Sequence, residues 1–178
     1  CGYTDPRDNV FAQKSYDYTL AHTSDAGRAF LRSLPDNRQL NIGCHRLLLC
    51  HGSPKRVNEF LWESTTSDHY LDALLEGLKI DCVFATHTGI KWSRILRAGG
   101  QFVNVGVLGR PENDGQTGVW YTLASDRGSG PLGIEFVAAH YDHRRLAYAL
   151  AAEGPTGEFP QTNLTGRRTT TGPQHHPS

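Results

Sequence analysis

The sequence predicts a layered α/β fold, a mixed sheet flanked by helices, and three observations predict it. The apolar runs at residues 46–50 and 81–85 do not alternate with polar residues, as strands buried on both faces do not. Apolar residues recur at helical spacing over 24–34 and again over 67–78. Strand-like and helical stretches then mix along the chain rather than segregating, which is the pattern of packed layers. Both apolar runs end at or beside a histidine, His51 and His87. Open α/β sheets place their ligands at the carboxyl ends of strands.

In chain order, residues 1–8 are turn-rich and read as irregular. From 9 to 21, Phe11, Ser15, Tyr18 and the following His22 share one helical face. Ser24 can cap a second helix, along which Ala26, Phe30, Leu31 and Leu34 keep a helical period until Pro35 ends it. Strands at 39–42 and 45–50 flank Gly43-Cys44 as a hairpin would. The loop after His51 runs through Lys55, Asn58, Glu59 and Trp62 and is long enough to fold over a site. Ser67 caps the clearest helix, with Tyr70, Leu71, Leu74, Leu75 and Leu78 in one stripe. Short strands follow at 81–85, 93–96 and 101–104, then a glycine-punctuated loop at 104–111 and strands at 119–123 and 134–139. Asp142 can cap a last helix reaching Ala152. These elements make one domain, 1–153. Beyond it the composition turns to Pro, Gly, Thr and Gln, so 154–178 reads as a flexible tail with its last ten residues disordered.

Bulk properties narrow the function. The 178 residues suffice for one domain with a real core. Lys+Arg and Asp+Glu balance at 18 each, so bulk charge draws the chain to neither nucleic acid nor an anionic membrane. No apolar run approaches the ~20 residues of a membrane span, and no signal peptide is visible, which makes a cytoplasmic location the default expectation. Cys1, Cys44, Cys50 and Cys82 form no C-x-x-C pair and read as free thiols in a reducing compartment. The chain has no methionine and begins at Cys1, as a processed chain or the downstream part of a longer reading frame would.

If the strands before His51 and His87 are neighbours, both imidazoles emerge at one sheet edge. Neutral imidazole suits Zn²⁺, Mn²⁺ or Fe, so the pair can begin a metal site; equally, each can be a polar residue ending a strand. A closed site needs three or four protein ligands. No Asp-x-His, Gly-Asp or Gly-Asn-His arrangement supplies them. Asp142 before His143 is better explained as a helix cap, His175 and His176 lie in the tail, and His22, His45, His69 and His140 have no motif around them. Ser53 lacks a G-x-S-x-G setting. Asn104, Gly106, Gly109 and Arg110 shape either an anion pocket, with Arg110 as a fork of donors, or an ordinary tight turn before a surface arginine.

Taken in order, His51-Gly52-Ser53-Pro54, then Thr86-His87-Thr88-Gly89 with Trp92 and Arg94, then the loop from Val103 to Pro111, then Val119-Trp120-Tyr121-Thr122-Leu123, resemble the small prokaryotic branch of the calcineurin-like metallophosphoesterases. The resemblance covers roughly residues 1–152 and rests on the order of the motifs. It implies the C-terminal part of a layered α/β/β/α sandwich and a phosphoesterase acting on mono- or diesters with two divalent ions (Mn, Fe, Zn or Ni). Those ions, about 3.5–4 Å apart, would activate water and clamp phosphoryl oxygens during in-line displacement. His51 and His87 would be metal ligands, Asn104 and Arg110 would shape the pocket, and Asn58 and Trp62 would meet the leaving group. A small phosphate ester, not nucleic acid or membrane, would be the partner.

The family's remaining ligands come from motifs upstream of where Cys1 falls, so this chain is expected to be an inactive or incomplete fragment. It would be poorly stable, with a strand edge exposed where the missing half should pair. Two departures stand out. Gly89 replaces the second histidine of the Gly-His-x-His motif, and Val105 and Val107 replace a Pro and a Ser. They leave room for an alternative, a non-catalytic binding or scaffold module such as the metallophosphoesterase-like subunit of retromer.

Overall fold

The computed structural model describes residues 6–154 and 158–167. In order the elements are α1 (Pro6–His22), α2 (Asp25–Ser33), β1 (Asn37–Ile42), β2 (His45–Cys50), α3 (Asp68–Leu78), β3 (Cys82–Ala85), β4 (Lys91–Ile95), β5 (Gln101–Val105), β6 (Val119–Ser125), β7 (Gly133–Ala139), α4 (His143–Glu153) and α5 (Glu158–Thr165). They form two compact units. One takes the chain up to Pro35, Arg110–Gly118 and the stretch from His140; the other takes Asp36–Gly109 and Val119–Ala139.

The second unit is built on a five-stranded sheet in the order β1-β2-β3-β5-β4. β1 and β2 form the expected antiparallel hairpin, from Asn37 opposite Cys50 to Ile42 opposite His45. β2, β3 and β5 run parallel, so their carboxyl ends share one edge. The non-alternating run in β2 now has its cause. Leu47 and Leu48 are successive strand residues, point to opposite faces, and are both buried. Leu48 joins Val83, Phe102 and Trp92 under Leu71, Leu74 and Leu75 of α3. Leu47 joins Cys82, Val103 and Leu132, with Ile134 and Phe136 of β7 against them. The two-stranded β6–β7 sheet, paired from Val119↔Ala139 to Ser125↔Gly133, therefore covers the face opposite α3. Helix, sheet and second sheet are thus stacked as three layers, α/β/β. Each fully buried Leu or Phe in these layers contributes about 1.5–3 kcal/mol.

Polar residues fix the ends of elements. The Ser67 hydroxyl accepts from Tyr70 N–H at 3.2 Å and starts α3, and Lys79 closes that helix in the left-handed region (φ 53). Arg46 and Asp81 lock the start of β2 beside β3, with Nε–Oδ2 at 3.0 Å and Nη2–Oδ1 at 2.9 Å. The Arg46 hydrogen bonds hold the Asp81 carboxyl down at a pKa of about 2. Burial pushes the Cys50 thiol up to about 11 and Cys82 to about 12, while Cys44 is exposed.

The first unit departs from expectation in three places. α1 starts at Pro6 within the stretch read as irregular, because proline's fixed φ suits a first helical turn. α2 has its Ser24 cap, accepting from Gly27 N–H at 3.1 Å, but its apolar stripe is not core: Phe30, Leu31 and Leu34 are 63%, 54% and 48% exposed. Periodicity reports a shared face, not a covered one. Within 154–178, read as a flexible tail, α5 packs on α4, with Thr162 and Asn163 buried and Tyr141 Oη donating to Asn163 Oδ1 at 2.8 Å. Its buried face is polar, so hydrophobic patterning passed over it. The last ten residues, and Cys1, lie outside the described residues. Asp142 caps α4 as expected, accepting from Arg145 N–H at 2.9 Å. Among the described residues no helix is long and apolar enough to cross a membrane.

Candidate metal centre

His51 follows β2 directly, and His87 follows β3 by one residue beyond Thr86. Because these strands are parallel neighbours, the two imidazoles leave the sheet at the same edge. They meet there: His51 Nε2 lies 3.0 Å from His87 Nδ1, with the rings 73° apart. His87 adopts φ 81, which among the described residues outside glycine only Lys79 joins on the positive side. A left-handed conformation at a non-glycine residue costs of order 1–3 kcal/mol and is a common mark of functional sites. Its Nε2 is buried and lacks a hydrogen-bond partner among the described residues. Burial first, then the neighbouring His51, lower its pKa below the usual histidine value, and the Asn58 backbone acts the other way. The surroundings of His87 thus favour its neutral imidazole, the form that offers a lone pair.

The loop that follows His51 is knotted against the site. Gly52 sits at φ 70, and a side chain there would meet Arg56 O at 2.5 Å and Val57 O at 2.6 Å, so only glycine fits the turn. Ser53 is buried and its hydroxyl is consumed locally, donating to Glu59 and accepting from the Lys55 and Arg56 N–H groups at 3.1 Å. It is loop architecture rather than a nucleophile. Farther on, Phe60 lays its ring against His87 (centroids 4.2 Å) with Trp62 parallel behind it (5.5 Å, 7°). β4 clasps the end of the loop: Trp92 Nε1 donates to Leu61 O at 3.2 Å, and Arg94 Nη1 donates to Thr66 O at 2.6 Å.

Of the other candidate residues, Asn58 reaches His87 through its backbone, and Asn104 is engaged at its own strand end. Asn104 is fully buried at the end of β5, accepts from Gly106 N–H at 3.2 Å and donates to Thr86 O at 3.4 Å. Thr86 Oγ1 in turn donates to Gly106 O at 2.6 Å. Asn104 therefore clasps two strand ends together instead of presenting an amide to a ligand. Arg110 opens a segment of the first unit. Asn58 is exposed on the loop beside the site. Phe60 carried no warning in the sequence beyond its spacing from Trp62.

Do these residues fit a divalent cation? Nitrogens each about 2.0–2.1 Å from a shared ion can lie at most about 4.2 Å apart. The 3.0 Å between His51 and His87 satisfies this. The fit is to half of a site, since among the described residues no group of three or more His, Cys, Asp or Glu is placed to hold a metal. Gly89, where the motif would have its second histidine, sits at φ 78, and a Cβ there would meet nothing nearer than Val107 Cγ2 at 3.7 Å. Backbone conformation, not crowding, is what makes glycine the easy residue at that position.

Among solved structures, the chain is similar to the hypothetical protein PH1004 from Pyrococcus horikoshii (TM-score 0.71, 19% identity over 85% of this chain and 59% of that one). It is also similar to a metallophosphoesterase from Sphaerobacter thermophilus (TM-score 0.63, 15% identity over 84% of this chain and 65% of that one). The chain has the calcineurin-like metallophosphoesterase fold. It spans less than two thirds of the length of either relative. No family model matches this metallophosphoesterase-fold chain, and no curated protein matches it.

Proposed function

We propose that this chain belongs to a divalent-cation-dependent phosphoesterase and that His51 and His87 are ligands of one of its cations. The observation that carries the reading is the approach of the two ring nitrogens to 3.0 Å at the carboxyl ends of parallel strands. A pair of divalent ions, drawn from Mn, Fe, Zn or Ni, would supply charge to the phosphoryl oxygens and activate the attacking water. This chain's own part is narrower. His51 Nε2 and His87 Nδ1 face each other, so that a cation displacing the proton they share would find both nitrogens in reach, and the loop lays Phe60 against His87. Asn58 and Trp62 on that loop are the groups assigned to the leaving group, a small phosphate mono- or diester being the substrate class. The loop that follows Asn104 is assigned to the wall of the pocket.

The alternative is a non-catalytic binding module. It is favoured by Gly89 in place of the second motif histidine and by the absence, among the described residues, of a third ligand. Metal content by elemental analysis and hydrolysis of a bis-aryl phosphate, compared with His51→Ala and His87→Ala, separate the two. The enzyme reading expects each variant to lose metal together with any activity. Equal metal in all three proteins would remove the ligand assignment, and metal binding without hydrolysis would favour the module.

A further inference from the structure

The residues that make the His51–His87 contact do not explain why His87 keeps one orientation. Its backbone is in a strained conformation (φ 81), and its Nε2 has no hydrogen-bond partner among the described residues. With His51 and the Asn58 backbone as polar contacts, the imidazole can still flip about its χ2 torsion, which is soft and two-fold. What opposes a flip here is the aromatic ring against its face. Phe60 lies with its centroid 4.2 Å from that of His87.

Phe60 is itself presented by residues anchored on both sides. The preceding Glu59 accepts hydrogen bonds from the Ser53 hydroxyl and from Tyr70 Oη on α3, the latter at 3.1 Å. The following Leu61 is buried in the core, and its carbonyl accepts from Trp92 Nε1 at 3.2 Å. Trp62 backs the ring at 5.5 Å. Side chains from α3, β4 and the loop thus fix the residues on either side of Phe60, whose ring lies against one histidine. Ring-on-ring contact fixes orientation without offering a competing donor or acceptor, which suits a residue whose nitrogens must stay available.

We propose that Phe60 is a positioning residue: its ring, held between the anchored Glu59 and Leu61, fixes the His87 imidazole so that Nδ1 faces His51 Nε2. The metal arm of the test below rests on the two histidines being cation ligands; the orientation arm does not. Partners that orient a ligating histidine typically change metal affinity by 10–100-fold when removed.

The experiment uses the full chain and three variants, Phe60→Leu, Phe60→Tyr and Trp62→Leu. Histidine ring ¹⁵N correlation spectra without metal report the His87 tautomer and ring environment, and calorimetric titration with Ni²⁺ reports affinity. In the parent chain and Phe60→Tyr, His87 is expected to show a single tautomer. In Phe60→Leu it averages between tautomers, and Ni²⁺ affinity falls about 10-fold or more. Trp62→Leu shifts both readouts in the same direction by less, and serves if Phe60→Leu does not fold. An unchanged His87 spectrum and unchanged affinity in both the leucine variants would overturn the proposal. Failure of the parent chain to bind Ni²⁺ would instead count against the ligand reading, and the tautomer spectra would still decide the role of Phe60.

Discussion

Replacing Asn104 by alanine should destabilise the second unit while leaving the exposed surface unchanged. The side chain is fully buried, and its loss leaves Gly106 N–H without its 3.2 Å acceptor and Thr86 O without its 3.4 Å donor. A buried donor deprived of its partner costs about 1–3 kcal/mol, and the longer contact adds at the low end of that range. The sum is about 2–4 kcal/mol, a large share of the 5–15 kcal/mol typical of a folded domain. At about 2–4 °C per kcal/mol for a chain of this size, the melting midpoint should fall by roughly 4–16 °C. Urea unfolding followed by tryptophan fluorescence gives the free energy, and a calorimetric melt gives the midpoint. Phe102→Ala, at a fully buried core position, is the calibrating variant and should lose about 3–5 kcal/mol. If Asn104→Ala unfolds at the parent's urea midpoint while Phe102→Ala does not, Asn104 is not a clasp, and its assignment to a ligand pocket regains its standing.

Other expectations follow from the charges and thiols. Asp81 has a folded pKa of about 2 against an ordinary 3.8, so its contribution to stability is complete above 3.8 and is lost as pH falls through about 2. Arg46→Ala should move the Asp81 carboxyl titration, followed by ¹³C NMR, up toward 3.8; a midpoint still near 2 would show that Arg46 is not the cause. Cys44 is exposed while burial raises Cys50 to about 11 and Cys82 to about 12, so alkylation at pH 8 mapped by mass spectrometry should label Cys44 far faster than either. Comparable labelling of Cys82 would mean that the β3 core opens readily.

Much of the fold could be read from the residues because local signals and packing agree. Ser24, Ser67 and Asp142 cap the helices they were expected to cap, since a short oxygen-bearing side chain before a helical period has little else to do. The β2 and β3 runs could be read as doubly covered strands because both of their faces are apolar. Register with the neighbouring strand could not, yet register is what brings His51 to His87. α5 escaped because Thr162 and Asn163 are buried through polar contacts, which leave no hydrophobic period. The exposed stripe of α2 misled for the opposite reason: its period is strong, but nothing among the described residues covers it. At the site, the motif order marked two histidines and no ring. Phe60 belongs to a loop whose path is dictated by Ser53, Glu59, Tyr70 and Trp92, residues up to about forty positions apart that no local pattern connects.

The backbone of His87 carries a consequence for how this position tolerates change. Glycine would relieve a left-handed strain of about 1–2 kcal/mol and remove the unpartnered Nε2. It would forfeit the Phe60 ring contact, worth about 0.5–1.5 kcal/mol, and a hydrogen bond to His51 of about 1 kcal/mol. Counting about 1–3 kcal/mol for the unpartnered nitrogen and about 0.5–1 kcal/mol for the backbone entropy of glycine, the gains come to roughly 2–5 and the losses to roughly 2–3.5 kcal/mol, so folding alone gives histidine no advantage at residue 87. A mutational library sorted only for soluble expression should let glycine accumulate there. One sorted for retention on an immobilised divalent cation should not, and the gap between the two enrichments would measure how much of this residue is kept for reasons other than the fold.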